Sequence, residues 1–160
     1  MNVMVYNKYK ELLLGLNIDV MKSLEGVYNV DEIIDTFSNF YYDKMILDIT
    51  AIRDYQNTDN LQKLAMNINM ENVILLLDNT PETDSKNYLS KLISLGIYNF
   101  TKNADGINYL LVHPHTYRDV VNITLNIPIT GETRTLFYDY GGNDCYNIGE
   151  LNEALQHIND

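Results

Sequence analysis

Short apolar runs and amphipathic stretches take turns along the first two-thirds of the chain. "NVMVY" (2–6) predicts a strand, and "KYKELLLGLN" (8–17) a helix with Leu12, Leu13 and Leu16 on one side. "IDVMKSL" (18–24) is a weaker second strand. "NVDEIIDTFSNF" (29–40) puts Asn29 at an N-cap with Glu32 three residues on, the spacing of a capping box. Ile33, Ile34 and Phe37 then recur at helical intervals. "KMILDIT" (44–50) predicts the third strand, and "NTDNLQKLAMNI" (57–68) a third helix capped by Asn57 or Thr58. "NVILLLD" (72–78) has five apolar residues in succession, as a strand buried on both faces requires. "ETDSKNYLSKLISLG" (82–96) predicts a helix with Tyr88, Leu89, Leu92 and Ile93 inward and Gly96 at its stop. "IYNFTKN" (97–103) is the fifth strand and "ADGINYLL" (104–111) a short last helix.

Strand and helix alternating in this way, with unbroken apolar strands, predicts a parallel sheet covered on both faces. Five such units make an α/β, flavodoxin-like, doubly wound five-stranded sheet over residues 1–115, with function gathered at the carboxyl ends of the strands. Past Pro114 the period changes. "VVNITLNIPI" (120–129) alternates apolar and polar, Gly131 marks a turn, and "TRTLFYDY" (133–140) runs back as the second arm of a hairpin. "IGELNEALQHI" (148–158) closes as an amphipathic helix, so residues 116–160 read as a hairpin-helix extension or a linker to a further domain.

With 160 residues the chain has room for one cored domain and a small extension. Its formal charge of −11 argues against an exposed nucleic-acid surface or an anionic membrane surface, both of which need clustered Lys and Arg. No apolar run reaches the roughly 20 residues that cross a bilayer, and "MNVMVYNKYK" lacks the pattern of a signal peptide. The expectation is a cytoplasmic, soluble protein without membrane insertion. Cys145 is the lone cysteine, and its neighbours Asp144 and Tyr146 supply no positive charge to activate it. "HPH" (113–115) offers two imidazoles, with only His157 elsewhere, too few for a zinc site; linker residues at a domain edge are expected there. "NKYKELLLG" lacks the phosphate-cradling loop of a flavin site, and no cofactor or metal is expected.

The carboxyl ends of the strands carry the candidate chemistry. "MILDIT" closes the third strand on Asp48, and "LGIYNFTKN" (95–103) brings Gly96, Phe100, Thr101 and Lys102 around the fifth. In order and separation these two motifs resemble those of the response-regulator receiver family of bacterial two-component signalling. The resemblance implies that Asp48 stands at the phosphoacceptor position and Lys102 where the family's phosphoryl-sensing lysine stands. The departures point to a degenerate receiver. The family's Mg²⁺-holding acidic pair after the first strand is replaced by Tyr6-Asn7-Lys8, and Mg²⁺ needs one or two carboxylates plus waters. The Ser or Thr expected at the end of the fourth strand is replaced by Asp78, with Thr80 nearby, and Asn103 replaces a proline. A second carboxylate without metal opposes phosphoryl transfer, which depends on charge neutralisation. The plan is also similar to the receiver-like N-terminal domain of TadZ/CpaE-type ATPases of the ParA/MinD superfamily, which mark the site of pilus assembly.

The resemblance thus implies a non-enzymatic pseudo-receiver that regulates or localises through protein partners, as a homodimer. Its expected interface comprises Tyr88, Leu89, Leu92, Ile93, Tyr98 and Phe100. The alternatives are a working receiver phosphorylated on Asp48, and a small enzyme using a mouth shared by Asp48, Asp78, Lys8 and Lys102. The plainest expectation for Asp48 is a structural ion pair with Lys102.

Overall fold

A computed structural model describes residues 1–120. The hairpin and helix expected beyond residue 120 lie outside the described residues. The elements run β1 (Asn2–Tyr6), α1 (Lys10–Leu14), β2 (Val20–Glu25), α2 (Val30–Phe37), β3 (Met45–Asp48), α3 (Thr58–Asn67), β4 (Val73–Leu76), α4 (Pro81–Asp84), α5 (Lys86–Ser94), β5 (Phe100–Thr101) and α6 (Ala104–Val112). Single 3-10 turns follow β3 (Ile49–Ala51) and precede β4 (Met70–Asn72).

All the strands are parallel, in the order β2-β1-β3-β4-β5, so the α/β flavodoxin-like expectation holds. Every residue of β3 and β4 is buried. Since successive strand side chains point to opposite faces, the centre of the sheet is covered on both sides. On the helical layers α2 packs on α3 and α3 on α5, while α1 lies on β1 and α6 on β4 and β5. Outermost β2 is mostly exposed, which explains its weak apolar pattern. Among the described residues, no helix is long and apolar enough to cross a membrane.

Four elements differ from expectation. The helix expected over 8–17 is only Lys10–Leu14, because the amides of residues 7–9 are turned toward the loop after β3. Asn29 does occupy the N-cap of α2, but its side chain makes no capping bond. The helix expected over 82–96 breaks at Ser85, whose backbone is extended (φ −74°, ψ 145°) and whose hydroxyl accepts from the Tyr88 N–H at 3.1 Å. Gly96, at φ +82°, ends α5 as anticipated. The fifth strand pairs over two residues only: Asn103 turns the chain into α6 by accepting the Gly106 N–H at 2.6 Å.

Candidate functional site

The carboxyl edge of the sheet is built from the loops after β1, β3, β4 and β5. Asp48 ends β3 directly opposite Leu76 of β4, which in turn pairs with Thr101 of β5. Asp48, Asp78 and Lys102 therefore do share one edge of the sheet. Asp48 and Asp78 are held there by separate sets of hydrogen bonds.

Asp48 is fully buried. Its Oδ2 accepts the backbone N–H groups of Asn7 and Tyr9, both at 2.9 Å. Its Oδ1 accepts the Thr50 N–H at 2.9 Å and the Thr50 hydroxyl at 2.7 Å. The loops are laced further by Asn7 Nδ2 donating to the Thr50 carbonyl and Lys8 N–H donating to the Thr50 hydroxyl, each at 3.1 Å. Four donors around one carboxylate compensate its burial without any cation. This corrects the expected ion pair with Lys102: Asp48 is held by backbone amides and a hydroxyl. Lys8, expected in a mouth shared with Asp48, lies over the Tyr9 ring, 5.5 Å from its centre. Lys102 is half-buried.

Asp78 is also buried, just past β4. It accepts from the hydroxyls of Thr80 at 3.1 Å, of Thr83 and of Tyr55. The Tyr88 hydroxyl donates to the Tyr55 carbonyl at 2.5 Å, fixing the loop that carries the phenol. Burial first, and then the neighbouring Asp78, raise the Tyr55 phenol well above its ordinary value near 10. Tyr88 is raised in the same direction, again mainly by burial. Both phenols therefore stay protonated donors near neutrality.

Chemically, both acids are engaged as acceptors. On Asp48 each carboxylate oxygen takes two donors, which fills the lone-pair sites of the group; on Asp78 Oδ1 takes two and Oδ2 one. Among the described residues no group of three or more His, Cys, Asp or Glu side chains gathers in a way that could hold a metal ion.

The expected interface residues need correction. Tyr88, Leu89, Leu92, Ile93 and Phe100 are all core, at most 5% exposed, and only Tyr98 is partly open. Their helical spacing records packing against the sheet, so they offer no surface to a partner. His113 is exposed and stacked on Tyr109, 4.6 Å between ring centres, whereas His115, also expected as a linker residue at a domain edge, is buried.

Nothing in the residue pattern points to Tyr9, Tyr55 or Thr83 as partners of these acids, and Asn7 stands out only as a replacement for an acid. Main-chain donors leave no side-chain signature, and Tyr55 reaches Asp78 across 23 positions. The exception is Thr50, two residues after Asp48, a spacing at which an Asp side chain bonds its own backbone in an Asx turn. Compared with protein-family models, with curated proteins and with solved structures, the chain matches none of them.

Proposed function

We propose that the chain is a degenerate receiver: a non-catalytic regulatory or localisation module that acts through protein–protein contacts, as a homodimer in the cytoplasm. The seat of Asp48 carries this reading. The acid at the phosphoacceptor position is buried, and its oxygens join the β1 and β3 loops through Asn7, Tyr9 and Thr50. A group transferred to it would have to displace four hydrogen bonds first. The loop where the family keeps its metal-binding acids supplies amide donors instead, so the position works as a clasp. The two-motif resemblance supplies the regulatory half of the reading, and the overall plan, rather than the motifs, supplies the likeness to the receiver-like N-terminal domain of TadZ/CpaE-type ATPases.

Incubation with Mg²⁺ and beryllofluoride, a phosphoryl mimic, tests it. The amide NMR spectrum and the melting temperature are expected to stay unchanged. A specific saturable shift centred on residues 48–50 would sink the reading and favour a working receiver. Light scattering is expected to give twice the chain mass; a monomer at high concentration would remove the homodimer from the proposal.

A further inference from the structure

The opposite edge of the sheet, at the amino ends of the strands, holds an open cleft of about 370 Å³. Its floor is formed by the residues that lead into three neighbouring strands: Lys44 before β3, Asn72 before β4, and Tyr98 and Asn99 before β5. Its wall is the segment after α6, including Thr116 and Tyr117. Both parts are held in place. The Lys44 backbone is paired on both sides, its carbonyl accepting from Val3 N–H at 2.9 Å and its N–H donating to Asn2 Oδ1 at 3.1 Å. Buried Asn99 holds the wall, its Oδ1 accepting the His115 N–H at 2.6 Å. The Tyr98 and Tyr117 rings meet edge to face at 6.0 Å and line one end.

The charges on this cleft are opposite and unneutralised by each other. Lys44 Nζ donates to the main-chain carbonyl of Glu71 at 3.4 Å, while the Glu71 carboxylate stays exposed. Among the described residues neither side chain takes part in an ion pair. Lys44, whose ammonium has spare donors, the acidic residue Glu71 and two aromatic rings therefore line one small volume. A ligand of either charge alone would leave one of these groups unmatched. The volume is at the lower end of the roughly 300–1,000 Å³ of small-molecule sites, so it suits a single small molecule.

We infer that this cleft binds a small zwitterion, a free α-amino acid with an aromatic side chain. Its carboxylate meets Lys44, its ammonium meets Glu71, and its side chain lies against Tyr98 and Tyr117. Each charge-assisted contact adds specificity that a singly charged analogue lacks. The inference is independent of the degenerate-receiver reading, since it uses the other edge of the sheet.

The test is an NMR titration of the full chain with L-phenylalanine, and with 3-phenylpropionate and phenethylamine as probes that each lack one charge. Phenylalanine is expected to shift the amides of Lys44, Asn72, Tyr98 and Thr116 saturably, with a Kd on the order of 1 mM. Each single-charge probe is expected to bind about tenfold more weakly. Glu71→Gln is expected to weaken phenylalanine without weakening 3-phenylpropionate, while Lys44→Met weakens phenylalanine without weakening phenethylamine. Glu71 is exposed, so its variant keeps the test decisive even if Lys44→Met folds poorly. Absence of a saturable shift, equal affinity for the three probes, or a Glu71→Gln protein that binds phenylalanine undiminished would each overturn the proposal.

Discussion

At the scale of single residues, the carboxylate of Asp48 is a structural joint whose removal has a calculable sign. Asp48→Asn replaces one acceptor oxygen by an NH₂ group. Either rotamer then points that NH₂ at main-chain N–H donors, because Oδ2 faces Asn7 and Tyr9 while Oδ1 faces Thr50. The expected loss is about 1–3 kcal/mol, the penalty for leaving buried polar groups unmatched. Urea unfolding measures it as a lower midpoint at constant slope; a change within about 0.5 kcal/mol, as for an ordinary surface position, would show that the clasp carries no stability. Gly106 gives a second residue-scale prediction. A Cβ there would stand 1.8 Å from Thr101 Oγ1 and 2.7 Å from Thr101 Cβ. Gly106→Ala must therefore shift α6 against β5, at a cost of about 1–3 kcal/mol for overpacking. Thr101→Ala in the same chain should recover part of that loss in thermal melts, since it removes the nearest atom and leaves the Cβ. The phenols give a third. Because folding raises the pKa of Tyr55 and Tyr88 above about 10, their contribution is complete below that pH and is lost as pH rises beyond it. Stability should fall above pH 10, and Tyr55→Phe should flatten that limb of the profile.

At the scale of elements, the break at Ser85 shows what periodicity can and cannot reveal. The apolar spacing of Tyr88, Leu89, Leu92 and Ile93 runs smoothly through the sequence, and all four residues are indeed inward. Nothing in that spacing marks residue 85 as the cap rather than part of a longer helix, except a serine three places before Tyr88. Ser85→Ala should remove the bond to the Tyr88 N–H and cost about 1 kcal/mol, read as a lowered melting temperature with α5 exchanging its first amides faster. The same reasoning sorts the other elements. β3 and β4 were legible because a doubly covered strand shows as a short unbroken apolar run, which in β3 stops at Asp48. The length of α1 was not, because its first turn is replaced by main-chain bonds to a residue 39 to 41 positions away. Asn103, read as a departure from the receiver pattern, is the cap that starts α6. The candidate site was legible as a position and illegible as a state: an acid at the end of β3 follows from the pattern, but whether it faces a ligand or a loop depends on contacts that no local pattern records.

At the scale of the whole molecule, the two edges of the sheet and the expected dimer face ask how the chain divides its surface. The apolar stripe of α5 and β5 was expected both to pack and to join a second copy, and burial settles that it packs. Leu89 and Leu92 are fully enclosed, and α5 also meets α3. Leu92→Lys distinguishes the two roles sharply. On an interface it would give a folded monomer, as a charge repels its own copy across the two-fold axis. In the core it places an unpaired ammonium where no water reaches, and the penalty of several kcal/mol takes up much of the 5–15 kcal/mol that holds a domain together. The expected outcome is therefore loss of the cooperative unfolding transition in circular dichroism, with no folded monomer in gel filtration. A well-folded Leu92→Lys protein of half the native mass would return this stripe to the surface. If the transition is lost as expected, any self-association would have to use ground that remains exposed, and β2, with Met21 nearly half exposed, is where variants should next be made.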